Sequence, residues 1–155
     1  MLVPRWSHGR VNEAVGTSSN GAVKSALGKI GFARGIVVQE IGYDDDVDED
    51  LRLAVEDLVE AELEDEDFGG AVDGVLMWWR SGDGDLVDAF VDSLTNLVDR
   101  GFLLLVTPKS GRWGHVEVAD IQEAAAVAGL NLAGNSNICR DWVATRVVAT
   151  SSARR

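Results

Sequence analysis

The sequence predicts a small three-layer α/β domain with a mostly parallel sheet that ends in a C-terminal antiparallel hairpin. Three observations lead there. Hydrophobic runs at Ile36–Ile41, Val72–Trp79 and Phe102–Val106 each stop in a polar loop punctuated by Gly or Pro. Each run then gives way to apolar residues at helical spacing, so the rhythm is strand, loop, helix, repeated. After the last helix, Leu130–Ile138 and Trp142–Ala149 flank Cys139-Arg140-Asp141 as two antiparallel strands would. A chain of 155 residues fits one such domain. Its expected span is 22–149, between a disordered leader over 1–21 and a basic tail over 150–155.

Taken in order, Val23, Leu27 and Ile30 share one face of a short helix over 22–30, and Ile36–Ile41 is the first strand, β-branched and stopped by Gly42. The acids Asp44 to Asp50 open a second helix, where carboxylates meet free N–H groups, and Leu51, Val55, Leu58 and Val59 form its stripe. The charge run Glu60–Asp67 reads as solvated surface in preference to a short edge strand. Val72–Trp79 is apolar nearly throughout, as a central strand covered on both faces is, and its adjacent Trp78 and Trp79 must point to opposite faces. A wide stripe from Leu86 to Val98 predicts a helix ended by Gly101. Phe102–Val106 is the next strand, halted by Pro108, and Val118, Ile121, Ala124, Ala125 and Ala128 mark the last helix before Gly129.

The net charge of -12 is unevenly placed. Between Glu40 and Asp99 stand 21 carboxylates against only Arg52 and Arg80, a net -19, while the remainder is +7. An acidic middle of this size repels phosphate backbones and anionic bilayers, so neither nucleic acid nor membrane is an expected partner. The longest apolar run is far shorter than a bilayer span, and the first twenty residues lack the apolar core of a secretory signal. The single cysteine, Cys139, excludes an internal disulfide and fits a reducing cytoplasm.

In open α/β sheets of Rossmann-like form, ligands bind beyond the carboxyl ends of the strands. That rule gathers the candidate rim: Tyr43, Asp44 and Asp46 after the first strand, Arg80, Asp83 and Asp85 after the second, and Thr107, Lys109 and His115 after the third. No loop carries a complete catalytic motif. The first lacks the glycines that let a backbone approach a pyrophosphate, and Asp44 and Asp45 oppose one electrostatically. Asp44, Asp46 and Asp48 match the start of a calcium loop, but Glu49 stands where glycine is required and Val55 where the bidentate acid belongs. Ser81-Gly82-Asp83-Gly84-Asp85 reads first as a helix cap and second as a weak cation turn. Lys109 and Arg112 form a basic island that either receives an anion or neutralises nearby carboxylates. His115 is the one histidine within the expected fold and the candidate base; no G-x-S-x-G elbow or zinc-spaced Cys/His cluster exists.

The blocks Val37-Val38-Gln39-Glu40-Ile41-Gly42-Tyr43-Asp44-Asp45-Asp46, Trp78-Trp79-Arg80-Ser81-Gly82-Asp83-Gly84-Asp85-Leu86-Val87-Asp88, Thr107-Pro108-Lys109, Gly114-His115-Val116-Glu117 and Asp120-Ile121-Gln122-Glu123-Ala124-Ala125 resemble, in that order, an actinobacterial family of domain-of-unknown-function proteins. The likeness covers roughly residues 24 to 149 and implies a small cytoplasmic protein without an assigned activity. More distantly, the strand and helix order with its closing hairpin is similar to the carboxyl half of S-adenosylmethionine-dependent methyltransferases. The expected function is a non-enzymatic binding or regulatory domain that takes a protein partner or small ligand at the rim, with a homo-oligomer also open. The alternative is a divergent S-adenosylmethionine-dependent enzyme with Asp44 or Asp46 holding the ligand and His115 as base. The cofactor is left unassigned.

Overall fold

The computed structural model describes residues 13–149, which fold as α1 (Glu13–Ile30), β1 (Val38–Ile41), α2 (Glu49–Val59), β2 (Val72–Trp78), α3 (Leu86–Leu94), β3 (Leu97–Pro108), α4 (Val118–Val127), β4 (Leu130–Ser136) and β5 (Trp142–Ala149). The five strands form one sheet in the order β1-β2-β3-β5-β4. β1, β2 and β3 run parallel, and β5 lies antiparallel to both β3 and β4, so the expected hairpin closes the sheet.

Alternation along the strands divides the core in two. Leu76, Trp78, Phe102, Leu104 and Val106 face one side, packed with Leu27 of α1 and Leu51, Val55 and Val59 of α2. Val75, Met77, Leu103 and Leu105 face the other, packed with Phe90 of α3 and Ile121, Ala124 and Ala125 of α4. Trp78 and Trp79 take opposite faces as their adjacency requires, Trp79 lying against the α3 and α4 side.

Several boundaries differ from the sequence reading: β3 continues past Val106 through Thr107 to Pro108, which pairs with Trp142, β4 stops at Ser136, and α2 starts only at Glu49. Three further differences bear on the fold. α1 begins at Glu13 and not at Ala22, so the segment Thr17–Gly21 is helical; the rest of the expected leader, 1–12, and the expected tail, 150–155, lie outside the described residues. α3 stops at Leu94, and Leu97 and Val98 belong to β3. Their spacing fits a helical stripe, but Asn96 already holds the chain in the sheet, its carbonyl accepting the Val72 N–H at 2.8 Å and its side chain donating to Phe68 O at 3.1 Å. Gly101 is therefore no helix end. It sits where the β2–β3 register slips, between Val72↔Leu97 and Gly74↔Phe102, and a Cβ there would lie 2.9 Å from Asp73 O.

The charge run after α2 is the third difference. Glu64 makes a parallel bridge to Gln39, with Glu40 N–H donating to Glu64 O and Glu64 N–H to Val38 O, both at 2.8 Å. The Gln39 amide donates to Asp65 O at 3.0 Å. This segment thus covers the outer edge of β1, which backbone pairing favours wherever an edge is otherwise open.

Just past β1, Gly42 takes φ +83°, and a Cβ on it would fall 2.1 Å from Trp78 O. Both the left-handed backbone and that backbone contact resist substitution. Gly42→Ala is expected to cost about 3 kcal/mol or more and to lower the thermal midpoint by roughly 6 °C or more. Thermal unfolding followed by circular dichroism checks this, and a wild-type melting curve would refute the close approach.

Candidate functional site

The loops after β1 and β2 meet on Arg80, and the loop after β3 is tied to its neighbour. Arg80 is 5% exposed. Its guanidinium forks onto Asp46, Nε to Oδ2 at 3.0 Å and Nη2 to Oδ1 at 2.5 Å. Nη1 donates to Gly42 O at 2.8 Å and lies 3.3 Å from Asp83 Oδ2, which also accepts the Arg80 backbone N–H at 3.0 Å. Next to it, Ser81 N–H donates to Gly114 O at 2.8 Å and so fastens the loop after β3. Burial is the largest single influence and opposes the Arg80 charge, but the hydrogen bonds and Coulombic attraction of Asp46 and Asp83 together outweigh it and hold the guanidinium pKa above its ordinary value. The same contact holds the Asp46 carboxyl below the usual carboxylate range. Gly42 N–H donates to Glu66 Oε2 at 2.7 Å, so both polar backbone groups of this glycine are bonded within the chain.

A second ion pair adjoins the first. Arg52 of α2 forks onto Glu40 of β1, Nε to Oε2 at 2.6 Å and Nη2 to Oε1 at 2.8 Å, and its Nη1 donates to Glu49 Oε1 at 3.0 Å. The Trp78 indole N–H donates to the same Glu40 Oε2 at 2.8 Å. Trp78 stands edge-on to Trp142, ring centroids 5.0 Å apart, and the Arg80 guanidinium lies 5.5 Å from the Trp142 centroid. At the outer end, Arg52 lies 4.9 Å from the Tyr43 ring, whose hydroxyl donates to Glu49 at 3.0 Å and is held above its usual pKa by that bond. Tyr43, Glu49, Arg52, Glu40, Trp78, Trp142, Arg80 and Asp46 thus form one chain of contacts.

The remaining candidates lie apart from that chain of contacts. Asp44 accepts the Asp45 N–H at 2.7 Å in an exposed turn. Asp85 caps α3 by accepting from Val87 N–H at 2.8 Å. Asp83 is bonded to Arg80 and Asp85 to the start of α3, and among the described residues no group of three or more His, Cys, Asp or Glu is placed to hold a metal ion. Thr107 is buried, its Oγ1 without a hydrogen-bond partner among the described residues. The Lys109 backbone N–H donates to Asp141 O at 3.0 Å, and Arg112 pairs with the Asp141 carboxylate at 2.5 Å, so within the island Arg112 neutralises a neighbour. His115 Nδ1 lies 3.0 Å from Pro108 O, which can only accept, so Nδ1 carries the proton there; Nε2 is 3.6 Å from Glu117. Burial, reinforced by Asp48, pushes the Cys139 thiol up to about 12, which removes it as a nucleophile near neutral pH.

The structure therefore joins Asp46, Arg80 and Asp83 directly, with Tyr43 at the far end of the same network. Thr107 is placed beneath the surface, and Asp85 at a helix start. Sequence reasoning missed Glu40, Arg52, Glu66 and the Trp78–Trp142 pair. One signal bore on Arg52: it and Arg80 are the only bases among the 21 acids of the middle segment.

Comparison with known proteins gives the family and the fold. The chain belongs to the family described as protein of unknown function (DUF3052), which matches residues 27–151. It is 45% identical over 124 residues to the uncharacterized protein Rv2239c of Mycobacterium tuberculosis and to the uncharacterized protein Mb2263c of Mycobacterium bovis, covering 80% of this chain and 78% of each relative. Among solved structures it is similar to the CcbJ methyltransferase from Streptomyces caelestis, with TM-score 0.53, 12% identity, and coverage of 84% of this chain and 96% of that one. It is also similar to the O-methyltransferase NcsB1 from neocarzinostatin biosynthesis, solved with S-adenosylmethionine and 2-hydroxy-5-methyl naphthoic acid, with TM-score 0.58, 13% identity, and coverage of 94% and 61%. At these identities the likeness is one of fold. No described helix is long and apolar enough to cross a membrane.

Glu40 is 7% exposed, and removing its cation leaves a buried carboxylate unpaired. Arg52→Ala is expected to destabilise the fold by about 3 kcal/mol, and Glu40→Gln with Arg52→Ala to recover part of that loss, measured by urea unfolding. A loss under about 1 kcal/mol for Arg52→Ala would place the pair among ordinary surface ion pairs.

Because the folded Asp46 pKa lies below the unfolded one, its contribution is complete above about pH 4, the unfolded carboxylate range, and is lost as pH falls through the depressed folded value. Asp46→Asn is therefore expected to lower stability at neutral pH and to flatten the acid limb of the stability curve. An unchanged acid limb would contradict the pairing with Arg80.

Proposed function

We propose that the protein is a non-enzymatic binding or regulatory domain of the cytoplasm that keeps a methyltransferase-like scaffold and holds a partner protein on the rim beyond β1, β2 and β3. The observation that carries this reading is the place of Arg80. Its buried guanidinium, together with Glu66 at Gly42 N–H, fills with the chain's own ion pairs the point where an α/β sheet of this kind presents backbone to a ligand. A protein partner is favoured over a small ligand by two exposed aromatics in the rim loops, Trp113 at 82% and Tyr43 at 52%. Exposed aromatic side chains of this kind serve as anchors in protein interfaces.

A second reading, a divergent S-adenosylmethionine-dependent enzyme, draws support from the fold likeness alone. With Asp46 as the ligand-holding acid it requires that carboxylate to release Arg80, whereas Asp44, in an exposed turn, needs no such release. Thermal unfolding with S-adenosylmethionine, its demethylated product, nucleotides, acyl-coenzyme A and divalent cations separates the two. A ligand at about a hundred times its dissociation constant adds roughly 2.7 kcal/mol, which raises the midpoint by several degrees. No shift is expected with any of these compounds, whereas partner capture from native extract is expected to be lost on Trp113→Ser. A selective shift with S-adenosylmethionine, abolished in Asp46→Ala, would overturn the binding-domain reading in favour of the enzyme.

A further inference from the structure

We infer that the outer edge of β4 is a self-association surface, on which two copies of this chain pair β4 to β4 antiparallel about a two-fold axis. The inference stands on a part of the molecule remote from the rim, since β4 and β1 lie at opposite ends of the sheet. Among the described residues nothing pairs with the outer edge of β4, which leaves a row of backbone N–H and C=O groups open. Folded proteins usually blunt such an edge with charge, proline, a cover or a bulge. The opposite edge, β1, is covered by Glu64. β4 has neither charge nor proline, and what it has is a bulge between Leu132 and Asn135, with Gly134 at φ +121°.

The absence of charge is local. From Ala124 to Ile138 no Asp, Glu, Lys, Arg or His interrupts the sequence, in a chain that is 26% charged overall. With a net charge of -12, two copies repel each other, most strongly through the segment 40–99 that holds 21 of the 26 carboxylates. The β4 edge is where that repulsion is least. Apolar groups flank it on both sides: Val127, 67% exposed, ends the helix that packs beside β4, and a cavity of about 250 Å³ on the other face is lined by Ala26, Ile30 and Ala133 together with the polar Lys29, Asn135 and Arg146. A second copy fits better than an unrelated strand, because antiparallel pairing of one segment with itself is isologous and closes at two.

Sedimentation velocity over a wide concentration range tests this on the full chain. The expected result is a monomer–dimer equilibrium that shifts toward dimer as salt screens the net charge, with Asn131→Lys/Asn135→Lys monomeric and Trp113→Ser still dimeric. A monomer at every concentration and salt level, or a dimer that persists in the folded double-lysine variant, overturns it. Should that variant fail to fold, hydrogen exchange on the wild type decides: concentration-dependent protection of β4 amides supports the pairing, and protection independent of concentration refutes it.

Discussion

The Glu40 carboxylate is the constraint around which the rest of this molecule is arranged. It stands on a four-residue strand, 7% exposed, where an ionised group without partners costs several kcal/mol. Arg52 and the Trp78 indole satisfy it from two different elements, α2 and β2. To deliver Arg52, α2 must start close beyond β1, which the Asp48 cap arranges by accepting the Leu51 N–H at 3.0 Å. To deliver the indole, Trp78 must face the α1 and α2 side, and in that pose its ring meets Trp142 at the head of β5. One buried charge thus fixes the register of a helix, the face of a central strand and the docking of the terminal hairpin.

The same economy explains the state of the rim. Asp46 precedes α2 and Arg80 follows β2, so once the Glu40 cluster sets those elements, the Asp46–Arg80 fork is brought within reach. Arg80 then bonds to Gly42 O and Trp78 O, while Glu66, carried in by the segment covering β1, takes Gly42 N–H. An anionic ligand approaching this glycine would have to displace a carboxylate from inside the chain and would meet Asp44 and Asp45 on the way. Electrostatics and hydrogen bonding therefore act in the same direction, both against the anion-cradling use that α/β rims of this kind are suited to.

The fold was legible where a single period governs a segment. Alternation in Val75-Leu76-Met77-Trp78 and helical spacing in Leu51, Val55 and Val59 each admit one reading, and both elements stand where that reading puts them. Leu97 and Val98 continue a helical stripe and also begin a strand, and the choice is made by Asn96 bonding to residues 24 and 28 positions away, which periodicity does not register. The site was legible only as a list of loops. Glu40–Arg52 spans 12 positions and Asp46–Arg80 spans 34, with nothing local to mark either pair. Charge scarcity was the available clue: two bases among 21 acids must be the groups that those acids surround.

Charge also links the two ends of the sheet. Near β1 the acids are so dense that the chain must bring its few cations inward, and burying Arg80 and half-burying Arg52 leaves the outer surface there more acidic than before. Like charge keeps copies apart at this end of the molecule. At the β4 end the opposite condition holds: no charge on the strand itself and, among the described residues, an unpaired backbone edge beside uncovered apolar area. A chain whose acids are concentrated away from β4 has its least opposed approach there, so the acidity that opposes anions at the rim also leaves β4 as the face with the lowest barrier to a second copy.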